Sequence, residues 1–421
     1  MPKATANFLT IFLFALSLGL SLPNLGKIQL LVMDEAQTVP GAQSYLGLVP
    51  PSSLNSRNPP FGKEVLALSI KIFGDNFFAY RLPSALAAAF TVVLIFRGML
   101  LLTQSNAAGL VAAGLWLTST LAYLHGRLAT LDMMMTCWML AAAVVFLKSM
   151  KHTSALGRAR WLWVACALAA LGAAVKVLVL LLFPWFLFGL LENRAAWPLK
   201  KSLPHFFAAA LLLPAEFMAL SYQAIGYSLS QIPAEILRMV KLQSTLNRDF
   251  SGLSPWYDWF LMKGNLLFYS SVLPTGARYS MLCANNPVLW IGGALSVLLL
   301  PLFAWKYRDF LLSLIALMVP MQIAFWLAFK KQTILSYGLA LEPWFCWAIA
   351  LVLFYLCKSI FRSRWALQVW GLSLVAVSGV FFFKKLPLVR GQWVELRGPV
   401  STKGLDETLP SQEFKDNDSH P

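Results

Sequence analysis

WLWVACALAALGAAVKVLVLLLFPWFLFGLL, from Trp161 to Leu191, is the stretch whose reading decides the fold. It is apolar throughout except for Lys176 at its middle. A bilayer core takes about 20 apolar residues per helix, so this run is too long for one ordinary span. Its flanks settle the reading. Segment 148–160 carries Lys148, Lys151, Arg158 and Arg160 with no acid, and segment 192–202 carries Arg194, Lys200 and Lys201 against Glu192. Both have the basic bias of cytoplasmic loops, and two loops on one side require an even number of crossings between them. The run therefore reads as a hairpin of two short helices that turns at Lys176 on the outer face.

Working outward, similar apolar runs lie at 7–25, 79–102, 107–123, 131–147, 203–221, 288–304, 310–328, 338–356 and 365–383. With the hairpin this predicts an all-α polytopic membrane protein of about eleven transmembrane helices, N-terminus inside and C-terminus outside. Lys306, Arg308, Lys358, Arg362 and Arg364 fall on the inner side, as they should. Composition agrees: 58% of the 421 residues are hydrophobic, 12% are charged, and mean hydropathy is +0.66. Charge this sparse cannot cover several soluble domains. The net charge of +16 sits largely in short loops, where it carries orientation, so a nucleic-acid partner is excluded. Four of the five cysteines, Cys137, Cys166, Cys346 and Cys357, lie in or beside apolar spans and Cys283 stands alone in a loop. They make neither a disulfide framework nor a zinc motif.

Two large outer loops, 26–78 and 222–287, interrupt the spans, and both are expected to carry interfacial helices. Residues 231–246 (QIPAEILRMVKLQSTL) have the pattern of a helix lying in the membrane surface, and Trp256, Tyr257 and Trp259 are expected at headgroup depth. The transmembrane domain is read as 1–383, with an uncleaved first span, and 384–421 as a polar, weakly ordered outer tail.

The ionisable groups near the bilayer carry the chemistry. Asp34 and Glu35 follow the first span, where a carboxylate can serve as a general base, or simply as a solvated loop pair or helix N-cap. Pro59 and Pro60 introduce a helix over 61–73, with Lys63 in a first turn whose dipole disfavours a cation. An anionic partner accounts for that lysine; so does snorkelling. Arg81 opens the second span, and Arg127 and Asp132 enter the fourth. Charges at such depth are functional or paired. Five residues apart on one helix is roughly 140° of rotation, so Arg127 and Asp132 do not face each other and each needs a partner elsewhere. A phosphate at the boundary accounts for Lys176, and an anionic ligand for Lys330 and Lys331, two cations on the side that usually lacks them. There is no P-loop, dinucleotide fingerprint or HExxH. A carboxylate ringed by Lys and Arg at the membrane fits a lipid-linked phosphate substrate better than a soluble nucleotide.

These pieces fall in a telling order: Asp34-Glu35, NPPFGK at 58–63, FxxYRLPS at 77–84, RLATLD at 127–132 and Gly172 to Lys176. SPWYDW at 254–259, NPVLW at 286–290, Ser336-Tyr337-Gly338 and Glu342-Pro343-Trp344-Phe345 follow. The series resembles the protein O-mannosyltransferase family, the dolichyl-phosphate-mannose–protein mannosyltransferases and their bacterial relatives, over about 30–350. Each motif is weak alone; the series is fairly specific. The resemblance implies a GT-C fold and inverting transfer of one sugar, mannose or a similar hexose, from a polyprenyl-phosphate donor at the outer membrane face. The implied acceptor is a hydroxyl, of protein Ser/Thr or, as in related aminoarabinose transferases, of a lipid. It implies Asp34 as base, Glu35 as the residue that positions acceptor or donor sugar, and Lys63, Arg127 and Lys176 as phosphate ligands. Arg81, Asp132, Lys330 and Lys331 stand as further donor-binding candidates, with Glu342 beside them. No cofactor is implied. A phosphate leaving as a dianion can be served by Lys and Arg, so no metal is expected, with a divalent requirement left open. Two departures stand out: Asn58 replaces the family's common His before the first proline, and the second outer loop is too short for the soluble insert of eukaryotic members. The short loop points to a compact prokaryotic member of an inner or plasma membrane. The rivals are a transporter or lipid flippase, against which the lack of an internal repeat counts, and a non-enzymatic assembly factor.

Overall fold

The computed structural model describes residues 3–50, 57–244, 254–263, 266–272, 278–283, 285–328, 333–361 and 364–389. Lys330, Lys331 and the tail beyond 389 lie outside the described residues.

The chain is a multi-pass membrane protein. Among the described residues nine helices are long and apolar enough to cross a bilayer. They are α1 (Lys3–Ser21), α4 (Phe77–Thr103), α7 (Leu131–Lys151), α8 (Ala155–Val175), α10 (Leu199–Ala224), α13 (Pro287–Tyr307), α14 (Phe310–Ala328), α15 (Glu342–Leu356) and α16 (Arg364–Val389). Two shorter apolar segments stand where two further spans were expected. These are α5 (Asn106–Leu117), and a 3-10 turn (Val177–Leu181) that continues into α9 (Leu182–Glu192). The set is compatible with eleven crossings. The decisive run does break at Lys176, whose backbone is extended (φ −149°, ψ 133°) between α8 and the 3-10 turn.

Local sequence explains where helices start. Asn76, Ser105, Ser119, Ser154 and Asn286 each accept a backbone N–H of the first turn of α4, α5, α6 (Thr120–His125), α8 and α13. The most buried spans, α7 and α15, form the centre, with α4, α5 and α8 packed around them. Two buried indoles satisfy their N–H on backbone carbonyls: Trp347 reaches Ile95 at 3.0 Å and Trp185 reaches Leu314 at 2.7 Å.

The first large loop folds into α2 (Glu35–Tyr45) and α3 (Phe61–Phe73), the latter spanning the residues expected from the double proline. The second carries α11 (Ile232–Ser244), close to the helix expected there, and α12 (Trp256–Phe260). It also carries an antiparallel hairpin that the helical reading did not foresee, β1 (Leu266–Val272) with β2 (Arg278–Cys283). Trp259 corrects another expectation. It is fully buried rather than at headgroup depth, edge-on to Trp290 and Trp326, with its N–H on Ser254 Oγ at 2.8 Å.

Candidate active site

The site is built where the N-termini of α2, α3 and α7 meet the end of α8. Two links show the meeting. Glu35, first residue of α2, accepts the Ala129 N–H just ahead of α7 at 2.7 Å. Gly62, in the first turn of α3, lies so close to α7 and α8 that a Cβ there would stand 2.6 Å from Leu131 and 3.1 Å from Val175. None of α2, α3 and α7 is closed by a side-chain cap, which leaves the positive end of each dipole without a capping side chain, although the leading N–H groups of α2 already bond the carbonyls of Val32, Met33 and Asp34.

The two adjacent acids have opposite fates. Met33, just before them, takes a left-handed backbone (φ 47°), rare for such a side chain. The turn folds Glu35 inward and leaves Asp34 half-buried. Glu35 is fully buried. Its Oε1 accepts Arg81 Nε–H at 2.8 Å and its Oε2 accepts Arg81 Nη2–H at 2.9 Å and Val32 N–H at 3.0 Å. Arg81 spends its other donors on the carbonyls of Leu25 (3.1 Å), Ile28 (2.8 Å) and Leu30 (2.9 Å). A guanidinium has five N–H groups, and these contacts engage them all. The pair is closed and ties the loop between α1 and α2 onto α4, with no donor of Arg81 left over for the substrate role expected of it.

Asp132 and Lys176 form the second pair. The Lys176 ammonium donates to both Asp132 oxygens at 2.8 Å, with side-chain exposures of 17% and 3%. Lys176 lies near enough to Asp34 and to Tyr337 for direct electrostatic interaction, and the buried His125 feels Asp34, Asp132 and Lys176 alike. Among the described residues no donor is hydrogen-bonded to the Asp34 carboxylate. His125 faces Thr130 Oγ1 at 2.9 Å. It was not singled out from the sequence; a histidine inside the apolar lead-in to RLATLD was the available signal.

The other expected residues take distinct places. Lys63 is buried at the start of α3, its ammonium 3.4 Å from the Asn58 carbonyl and over the Tyr45 ring. Burial pulls its pKa down to about 8, with the neighbouring Glu64 opposing. Burial likewise raises the Glu64 carboxyl, against a 2.8 Å hydrogen bond from Ser221 and the charge of Lys63. Arg127 reaches away from Asp132, but it lies in the turn between α6 and α7, so the two do not share the helix on which the expected rotation was reckoned. Its guanidinium donates to Ser21 (2.6 Å), Pro23 (2.8 Å) and Leu20 (3.3 Å), capping the C-terminus of α1. Glu342 is buried in a separate network, accepting from the Ser119 hydroxyl and from Trp290 Nε1 at 3.0 Å. Among the described residues no group of three or more His, Cys, Asp or Glu converges as metal ligands.

Comparison with known proteins places this arrangement. The family model for dolichyl-phosphate-mannose-protein mannosyltransferase matches residues 57–220, a stretch that holds Lys63, Arg81, Arg127, Asp132 and Lys176. An undecaprenyl phosphate-alpha-4-amino-4-deoxy-L-arabinose arabinosyl transferase of Erwinia tasmaniensis is 31% identical over 122 residues, 28% of this chain and 22% of the relative. A polyprenol-phosphate-mannose–protein mannosyltransferase of Mycobacterium tuberculosis is 32% identical over 85 residues, 20% of this chain and 16% of the relative. Each alignment thus spans less than a quarter of the relative's own length. Among solved structures, the Saccharomyces cerevisiae protein O-mannosyltransferase Pmt1-Pmt2 complex bound to the sugar donor superposes with a TM-score of 0.73 at 11% identity, covering 93% of this chain and 91% of that one. ArnT from Cupriavidus metallidurans bound to undecaprenyl phosphate gives 0.60 at 16% identity, covering 90% and 65%. Residues 57–220 therefore match the model of the dolichyl-phosphate-mannose-protein mannosyltransferases, and the chain as a whole shares the fold of the Pmt1-Pmt2 and ArnT structures.

Proposed function

We propose that this protein transfers a single sugar from a polyprenyl-phosphate carrier to a hydroxyl acceptor at the extracytoplasmic membrane face, with mannose as the sugar and protein Ser/Thr as the acceptor. The observation that carries the reading is Asp34. It is a half-buried carboxylate free of hydrogen bonds among the described residues, beside the Asp132–Lys176 pair and at the meeting of three uncapped helix N-termini.

The chemistry follows from those groups. Asp34 takes the proton of the acceptor hydroxyl as its oxygen attacks the anomeric carbon. The bond from that carbon to the phosphate oxygen breaks on the opposite face, which inverts the centre. The phosphate leaves with added negative charge, and Lys176 and the helix N-termini stabilise it most where water is excluded. Asp132 holds the Lys176 ammonium in place. Lys63, in the first turn of α3, supplies a second positive charge to the donor phosphate. Glu35–Arg81 and Arg127 keep α1, α2 and α4 in register and touch no reacting atom.

A second reading keeps the site and changes the substrates: aminoarabinose transferred to a lipid hydroxyl. The likeness to the Erwinia tasmaniensis relative favours it, whereas the matching family model favours mannose. One experiment tests both. Membranes bearing wild type or Asp34→Asn receive labelled polyprenyl-phosphate mannose or aminoarabinose, and label is followed into protein, lipid and water-soluble fractions. The expected result is mannose in protein from wild type and a loss of about 10²- to 10⁴-fold in Asp34→Asn at equal abundance. Equal transfer by both sinks Asp34 as the base. Label in the lipid fraction from aminoarabinose selects the second reading. No transfer from any donor favours a transporter.

A further inference from the structure

Helices α13 and α15 start together at the end of the bundle that holds the site, where Trp290 donates to Glu342 and Tyr337 lies near Lys176. They also end together, with Tyr307 of α13 packed on Tyr355 of α15 at 4.7 Å between ring centroids. From Pro287 to Tyr307 the helix rises about 30 Å, so this second meeting lies at the opposite face of the membrane.

Two ammonium groups close on the Tyr307 ring there. Lys306 Nζ stands 5.6 Å from its centroid and Lys358 Nζ stands 5.8 Å from it. Lys306 belongs to the last turn of α13. Lys358 belongs to a π-helical turn, Cys357–Phe361, through which the chain leaves α15. Such turns are rare and recur at functional sites. The Tyr307 hydroxyl is hydrogen-bonded to Ser359, which ties that turn to α13. Both lysines are exposed, and neither has a hydrogen bond or ion pair among the described residues. Arg308, also exposed, follows in the chain. The neighbouring acid is engaged elsewhere. Asp309 accepts the Tyr355 hydroxyl at 3.2 Å and the Leu311 N–H at 3.1 Å, and its charge reaches Lys151.

A helix C-terminus favours a cation, which accounts for one lysine at each helix end. It does not account for two that converge on one ring, where like charges repel. An anion held between them does. The depth says which anion. Trp305 and Ile360, in the same turns as the lysines, are 85% and 65% exposed and mark the boundary of the bilayer.

We propose that Lys306 and Lys358 hold the phosphodiester of an anionic phospholipid headgroup beside Tyr307. Basic pockets between helix ends at the membrane surface take such headgroups. The site shares no residue with sugar transfer and stands or falls separately from that reading.

The test uses the purified full chain in detergent, with native mass spectrometry to measure the Kd of the first bound lipid. The probes are phosphatidylglycerol and phosphatidylcholine. The expected result is phosphatidylglycerol binding wild type about ten- to thirty-fold more tightly, with about five-fold lost in Lys358→Gln and no preference left in Lys306→Gln/Lys358→Gln. Lys200→Gln/Lys201→Gln removes the same charge from another exposed basic pair and should keep the preference. Equal binding of the two lipids by wild type overturns the proposal, as does a preference that survives in Lys306→Gln/Lys358→Gln or one lost equally in Lys200→Gln/Lys201→Gln. Inorganic phosphate that displaces phosphatidylglycerol at equal concentration also overturns it, because the ligand would then be a soluble anion.

Discussion

Two carboxylate–cation pairs sit within the same helix junction, and both have a closest contact of 2.8 Å. Glu35–Arg81 is 0% and 2% exposed, and the arginine has spent all its donors. Asp132–Lys176 is 3% and 17% exposed, and Asp132 is the only hydrogen-bond partner of the lysine's ammonium among the described residues. Ion-pair geometry alone does not separate frame from site. What separates them is donor capacity left over, together with a second carboxylate, Asp34, close to Lys176 and outside the pair.

Breaking the closed pair should have the largest effect. Arg81→Met leaves Glu35 buried without its cation, a loss of about 3–5 kcal/mol. The expected outcome is scarce or heat-labile protein, read by thermal unfolding in detergent, with the double variant Glu35→Gln/Arg81→Met recovering part of the loss. A single variant as stable as wild type would end the distinction drawn between the pairs.

Lys176→Met probes the open pair. Transfer should fall about 10²- to 10³-fold, the scale set by removing one donor to developing charge. The midpoint of unfolding should fall less than in Arg81→Met. If the two variants lose stability equally, Lys176 belongs to the frame.

Gly62→Ala sharpens the comparison by moving the pair's neighbours rather than the pair. The added Cβ would stand 2.6 Å from the Leu131 side chain and 3.1 Å from that of Val175, so these buried side chains must repack or α3 must shift, at a cost of about 1–3 kcal/mol. Donor KM should rise while the Glu35–Arg81 frame stays intact, as read by unchanged proteolysis of the loop between α1 and α2.

The smallest effect concerns Lys63 and pH. Its lowered pKa of about 8 means the ammonium is charged below that value and neutral above it. Any contribution to donor binding is therefore present below about pH 8 and lost as pH rises through it. The sign for stability is opposite. The unfolded lysine still binds its proton between about 8 and its ordinary 10.5, so the fold gains stability with pH across that window. Donor KM should rise above pH 8 in wild type and stay flat in Lys63→Met; parallel profiles would remove Lys63 from the donor site.

What the sequence made legible was local. The break at Lys176 and the helix over 61–73 both follow from period and proline within one segment, whereas the rotation expected between Arg127 and Asp132 assumed one helix where the structure has a turn. The pairings did not follow. Glu35 meets Arg81 across 46 residues and Lys176 meets Asp132 across 44, and no periodicity ranks such partners among a dozen charges. Trp259 shows the same limit: an aromatic in a polar loop reads as interfacial until Trp290 and Trp326, from distant helices, close over it.

The turn at Met33 has a consequence for anyone reading variants of this protein by phenotype. Substitution at 34 or 35 should give the same silent colony, one by removing a base and the other by removing the protein. A screen scored on activity alone would rank the neighbours as equals and credit the wrong one with chemistry. Abundance measured beside activity, position by position along the loop, would draw the border between them at a single peptide bond.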